Sequence, residues 1–178
     1  MQRPKGALRP LIVGYSFFAR AAPVLALLFA LYYGLPRLGI YLEPIPSALI
    51  GLIFASTAYN LEFLRPGMEA VPRGQFDAAQ ALGLGRFATY RRVVLPQAYA
   101  AASPALFSNA VQMVKGSSLA SLVAVDELTA ASTTLVAEAY RALEVLAFIG
   151  VLYAMVAGIV IGLQYVYERR QVWQRLRR

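Results

Sequence analysis

The sequence predicts an all-α integral membrane protein, a multi-span helical bundle of about four spans with a helix-turn-helix set between two of them. Three observations predict it. Hydrophobic residues make up 59% of the 178, with a mean hydropathy of +0.56. Charged residues make up only 15%, where a soluble domain carries about a quarter. The basic residues also cluster in blocks beside the apolar runs instead of spreading evenly. The length suits one domain over residues 1–178.

The net charge of +8 would suggest nucleic acid in a soluble chain. In blocks that flank apolar runs it reads as an orientation signal, with no nucleic acid partner. Cysteine and histidine are both absent. That excludes disulfides, thiolate metal sites, histidine triads and haem ligation by imidazole, so neither a metal nor a cofactor is expected.

Uncharged windows fall at 21–36, 44–61, 93–114 and 145–167. A hydrocarbon core about 30 Å thick needs roughly 20 helical residues. The opening stretch contains Pro4, Pro10 and Arg20 and lacks a small-x-small cleavage site, so it reads as mature protein and not as a signal peptide. The first window is short. It reaches spanning length only if its helix begins near residues 11–18 and carries Arg20 on a protein-facing side. The second, "PIPSALIGLIFASTAYNL", is apolar enough to span. The third is rich in alanine, serine and asparagine, which suits contact with protein more than lipid. Its run "AYAAASPALFSNA" permits tight packing, as at a two-fold dimer interface. The fourth, "VLAFIGVLYAMVAGIVIGLQYVY", is the clearest span.

Arg3, Lys5, Arg9 and Arg20 precede the first window; Arg65, Arg73, Arg86, Arg91 and Arg92 lie between the second and third; Arg169, Arg170, Arg175, Arg177 and Arg178 follow the fourth. The other links are poor in basic residues or acidic, with Asp126, Glu127, Glu138 and Glu144 in 115–144. This alternation predicts both termini on the cytoplasmic side, with Trp173 an interfacial anchor. Segment 115–144 has mixed polarity with short apolar pieces at 119–125 and 135–139, and is expected to hold a re-entrant or interfacial helix.

The stretch "DAAQALGLGRFATYRRVVLP", residues 77–96, sits within the cytoplasmic link 70–96. Pro72-Arg73-Gly74 breaks the chain after the second window. A short helix follows, with Asp77 placed near its start, where a carboxylate suits the positive end of the dipole. Ala78, Ala79 and Ala81 allow close approach by another helix. Gly83 ends the helix and permits a positive φ. A second helix carries Arg86, Arg91 and Arg92 and leads to Leu95-Pro96, with the proline in the first turn of the third span. Two readings fit the residues alone: insertion into a cleft on a cytoplasmic partner, or an amphipathic connector lying on anionic headgroups.

Polar residues inside the spans are candidates for a water-filled path. They are Asn60, Asn109, Gln112 and Lys115, with Ser117 and Ser118 just beyond. Asn109 and Gln112 are three apart and so share a helix face. The competing reading is hydrogen bonding between helices. Glu62 lies three residues before Arg65 and is placed to pair with it.

Asp77-Ala78-Ala79, three residues, Gly83, nine residues, Val93, one residue and Leu95-Pro96 resemble the signature loop of permease subunits of bacterial ABC importers. That signature runs Glu-Ala-Ala, three residues, Gly, nine residues, Ile, one residue, Leu-Pro; Asp77 and Val93 are conservative departures from it. "VKGSSLASLVAVDELT" and "FFARAAPVLALLFALYYGLP" are similar to segments of the polar amino acid branch of that family. The resemblance covers about residues 16–170. It implies a permease dimer, of two copies or of a copy and a paralogue, above two separate ATP-binding subunits. It also implies an extracytoplasmic substrate-binding protein, an amino acid substrate and the bacterial inner membrane. It assigns coupling to the ATPase to Asp77, Ala78, Ala79, Gly83, Arg86, Leu95 and Pro96. It further implies a span ahead of the segment that begins near Leu11, and this usual first span is expected to be missing here.

The chain carries no G-x-x-x-x-G-K-S/T loop around Lys5 or Lys115, so it is not expected to be an enzyme, and ATP hydrolysis falls to a partner. Glycine betaine, methionine and peptide importers share the core loop and remain alternative readings of the substrate. A membrane-embedded enzyme is disfavoured because no window holds paired carboxylates. A non-transporting scaffold would leave the loop spacing unexplained.

Overall fold

The computed structural model describes residues 8–176, with side chains over 9–171. Eight α-helices, α1 to α8, are described and no strand among these residues. Helix α1 (Leu8–Ala21) breaks at Ala22-Pro23. Helix α2 (Val24–Phe29) continues through a π turn, Ala30–Gly34, and a 3₁₀ turn, Leu35–Leu38. The long helix α3 spans Pro44–Glu69. An elbow follows, made of α4 (Arg73–Ala81), a turn and α5 (Arg86–Thr89). A π turn at Tyr90–Val94 joins α5 to α6 (Leu95–Gly116), and a 3₁₀ turn, Ser117–Val123, extends it. Helix α7 (Leu128–Ala139) and the long helix α8 (Ala142–Leu176) complete the described chain.

Two helices are each long and apolar enough to cross a membrane: Pro44–Glu69 and Ala142–Gln171. Two bent pairs pass the same test together, which raises the number of candidate spans to four. The uncharged windows 44–61, 93–114 and 145–167 thus fall on α3, α6 and α8. The first window does not belong to a single helix beginning near residue 11. Helix α1 and the segment Val24–Leu38 meet at 104°. Pro23 explains the break: it disfavours helical geometry at the preceding residue, and it caps α2 with an extended ψ of 134°.

Both π turns immediately precede a Leu-Pro pair, and both have one cause. Proline has no N–H, and its ring collides with the carbonyl four residues back. Widening the preceding turn removes that collision. The N–H of Leu35 bonds to Ala30, and that of Leu95 to Tyr90, five residues back in each case. Helix therefore runs unbroken from Arg86 to Val123. Pro96 lies in the first turn of α6, as the sequence predicts, although the helix enters that turn from Arg86 without a break.

The bundle is centred on α3 against α6, with α8 packed on α6 and α1 on α3. At Gly67 a Cβ would lie 2.5 Å from the carbonyl oxygen of Ala98 and 3.2 Å from the Cβ of Ala102. Only glycine allows this approach. The alanine run on α6 packs tightly as expected, but Ala98 and Ala102 spend their smallness inside the chain, against α3. A buried cluster of Leu28, Ala48, Ala120 and Val123 ties α2, α3 and the 3₁₀ turn together at the opposite end of the bundle from the elbow. Elsewhere large apolar side chains remain uncovered, among them Phe148, Ile159, Ile161 and Leu163 along α8, as expected of a helix facing hydrocarbon.

The mixed segment 115–144 contains a helix, as expected, separated from the preceding rod by a bend. Helix α7 turns by 58° from the Arg86–Val123 rod. One carboxylate holds it in place. Glu127 caps α7, its Oε1 accepting the N–H groups of Thr129 at 2.9 Å and Ala130 at 3.0 Å. Its Oε2 accepts the hydroxyl of Tyr153 on α8 at 2.6 Å.

Candidate functional site

The elbow folds as a short helix with a glycine stop. Gly83 has φ +72°, its N–H bonds to Gln80 at 2.9 Å, and the N–H of Leu84 bonds to Ala79 at 3.0 Å. These paired bonds, with a left-handed residue between them, satisfy the last carbonyls of α4. No Cβ at Gly83 would touch anything within 4 Å, so the backbone angle alone demands glycine. Asp77 does not sit at the start of the helix. Helix α4 begins at Arg73, so Asp77 lies mid-helix, exposed, with no acid in the first turn. The extension comes from Pro72, whose fixed φ of −60° starts the helix earlier than the breaker reading implies.

Val71, Val94 and Ala98 form a buried cluster with Met68 and Phe76, which anchors the elbow to α3 and α6. Phe76 and Tyr90 meet edge to face at 6.0 Å. Ala79 is buried within the chain, whereas Ala78, Ala81, Gly83 and Arg86 stay exposed. Leu82 and Phe87 beside them are 79% and 78% exposed. The tip therefore presents two large apolar side chains around a glycine, with Arg86, Arg91 and Arg92 nearby. Leu95 and Pro96 lie at its base, where they shape the π turn.

A second site lies between α3 and α6. Asn109 is 6% exposed; its Nδ2 donates to Asn60 Oδ1 at 2.8 Å and to Ser56 Oγ at 3.0 Å. Beside this triad opens a groove of about 520 Å³, whose polar lining is Ser56, Asn60, Asn109 and Ser117. Its apolar lining is Leu106, Ala110, Met113 and Val114. Asn109 thus joins the helices by hydrogen bonds, as the competing reading expects, and it also lines a groove.

Gln112, Lys115 and Ser118 are not among the lining residues. At about 100° per residue, the lining positions 106, 109, 110, 113, 114 and 117 form one stripe, and Gln112 falls roughly 130° from its centre. Gln112 and Lys115 are exposed. The hydroxyl of Ser118 donates to the Lys115 carbonyl at 2.7 Å. Sequence reasoning missed Ser56 and Met113. Counting by four from Asn60 back to Ser56, and from Asn109 on to Met113, would have found both.

Glu62 pairs with Arg65 at 3.1 Å, as its spacing predicts, and also with Arg20 at 3.7 Å. Ser16 donates to the same oxygen, Oε1, at 3.0 Å. Arg20 is thus drawn towards α3 by an ion pair. Arg3, Lys5, Arg177 and Arg178 lie outside the described residues, as do the side chains of Trp173 and Arg175.

Residues 1–173 match the family model described as "Binding-protein-dependent transport system inner membrane component". The chain is 34% identical over 163 residues to the octopine transport system permease protein OccM of Rhizobium radiobacter, covering 86% of this chain and 66% of that one. It is 32% identical to the probable amino-acid ABC transporter permease protein YckA of Bacillus subtilis (strain 168), covering 88% and 69%. It is 36% identical to the L-cystine transport system permease protein TcyB of the same organism, covering 68% and 53%. The chain thus spans between about half and two thirds of the length of these relatives. Among solved structures, one described as a crystal structure of an amino acid ABC transporter with histidines superposes with a TM-score of 0.80 at 29% identity, over 93% of this chain and 78% of that one.

Proposed function

This chain belongs to the family of binding-protein-dependent transport system inner membrane components, and from that premise we propose that it is the permease subunit of an ATP-driven amino acid importer. Its relatives are permeases of octopine, L-cystine and other amino-acid systems, which supports the substrate class. Two separate ATP-binding subunits supply the energy, a second permease copy or paralogue completes the path, and an extracytoplasmic protein delivers the substrate. The elbow and both termini face the cytoplasm, in line with the positive blocks that flank them.

The observation that carries this reading is the elbow tip. Leu82 and Phe87 stand exposed on either side of a left-handed glycine, Gly83, which occupies the glycine position of the importer signature. In this reading the tip enters a cleft on the ATP-binding subunit. Asp77, Ala78, Gly83 and Arg86 meet the partner, while Ala79, Leu95 and Pro96 hold the elbow's shape. Closure of the two ATPases displaces the elbows. The cluster at Val71, Val94 and Ala98 carries that displacement into α3 and α6, and so to the groove at Asn60 and Asn109. Such coupling switches the path between two discrete arrangements. Ser117 continues the polar lining at the far end of α6, while Gln112, Lys115 and Ser118 fall outside it.

Two substitutions at Gly83 test this. Gly83→Ala keeps the tip open and pays only for the left-handed angle, roughly 1–2 kcal/mol. Gly83→Asp pays no more for that angle, because aspartate tolerates it better than alanine, but it puts a charge into the docking contact. The expected outcome in proteoliposomes is uptake retained in the alanine variant. In the aspartate variant, transport and its ATPase stimulation are lost although the protein is inserted. Full uptake by Gly83→Asp would overturn the coupling assignment.

A further inference from the structure

We infer that the groove between α3 and α6 selects an amino acid whose side chain is polar but uncharged. The inference rests on the permease reading above and narrows its substrate class. The groove's volume of about 520 Å³ falls within the usual size of small-ligand clefts, roughly 300–1,000 Å³. Its polar lining consists of two carboxamides and two hydroxyls, and no acidic or basic side chain lines it.

The formal charges that neighbour the lining are withheld; Glu127, whose partner Tyr153 lies beside Ser117, already accepts from the N–H groups of Thr129 and Ala130 and from the Tyr153 hydroxyl. Glu62 lies two residues beyond Asn60, but its Oε1 is shared by Arg20, Arg65 and Ser16. Its charge is thereby offset by guanidinium groups before it can attract a cationic substrate. Lys115 lies two residues before Ser117 and is exposed outside the lining. A substrate with a charged side chain would leave water without a counter-ion, a heavy cost in a partly desolvated site.

The hydrogen-bonding groups left over favour a neutral polar side chain. Asn109 Nδ2 is committed to Ser56 and Asn60. That leaves the Asn109 carbonyl oxygen as an acceptor, with the Asn60 amide and the Ser56 hydroxyl as donors. Such a set pairs fully with a carboxamide or a hydroxyl. The α-ammonium and α-carboxylate are common to all amino acids and cancel, so only the side chain distinguishes them here.

The test measures binding of L-glutamine, L-arginine and L-glutamate to the complete complex in lipid nanodiscs, alongside uptake of each in proteoliposomes. Wild type should bind glutamine at least about tenfold more tightly than either charged amino acid. Asn60→Asp should reverse the order and favour arginine by a similar factor. Ser117→Asp, on another part of the wall, should do the same if the first variant fails to assemble. Equal or tighter binding of arginine or glutamate by wild type overturns the inference, as does an unchanged preference in both variants. A complex that takes up none of the three, in the presence of ATP and the binding protein, counts against the amino acid permease reading itself.

Discussion

Ser47 illustrates how one side chain can be spent badly. It is fully buried, and its hydroxyl has no hydrogen-bond partner in the described structure. An unpaired buried hydroxyl costs about 1–3 kcal/mol. Ser47→Ala removes the group without leaving a large void, so it should raise the thermal midpoint of the detergent-solubilised protein or leave it unchanged. A clear fall in that midpoint would mean that the hydroxyl has a partner in the solubilised protein. The two glycines facing neighbours across helices make a sharper pair. A Cβ at Gly51 would meet Leu28 Cδ2 at 2.7 Å, the far end of a flexible side chain. At Gly67 it would meet backbone, the Ala98 carbonyl oxygen at 2.5 Å. Gly51→Ala is therefore expected to be mild. Gly67→Ala should cost roughly 1–3 kcal/mol or more, because α3 and α6 must part to admit it. Unfolding of the two variants side by side checks the order.

At the level of elements, α7 depends on a contact outside itself. Glu127 both caps it and bonds to Tyr153 of α8. Tyr153→Phe keeps the cap and removes the link, along with the contact between Thr129 Oγ1 and the tyrosine hydroxyl at 3.0 Å. A loss of about 1–3 kcal/mol is expected, given a charged acceptor, and it should be concentrated in α7. Hydrogen exchange is the measurement: faster exchange across α7 with α3 unchanged is the expected outcome. The sequence hinted at this element by its mixed polarity, yet the anchor was not legible, since Glu127 and Tyr153 lie 26 residues apart and only the fold brings them together. The long apolar helices were legible because lipid demands a simple length and polarity rule. The break at Ala22-Pro23 was harder, as hydropathy averages across a bend without registering it. Asp77 failed for a local reason: Pro72-Arg73-Gly74 reads as a breaker ahead of the helix, whereas Pro72 caps it and Arg73 already opens it, four residues before Asp77.

For the whole molecule, the continuous rod from Arg86 to Val123 joins the elbow to the groove in a single piece of helix. The elbow was legible as a short helix, a glycine stop at Gly83 and a second helix leading to Leu95-Pro96, but not in where its first helix starts. The groove was legible only in Asn60, Asn109 and Ser117, because which stripe of α6 faces α3 depends on the rotation of the helix. Pro96 has a part in setting that rotation. Pro96→Ala restores a donor and relieves the collision that keeps the Tyr90–Val94 turn wide, so it should lower transport more than it lowers stability; uptake and thermal unfolding measured together would separate the two. The wide turn carries one residue more than an α turn, which amounts to a phase offset of about 100° between everything before it and everything after. Were that turn to tighten, Asn109 would keep its place in the chain but swing out of alignment with the tip that drives it, like a camshaft whose lobes have slipped a notch.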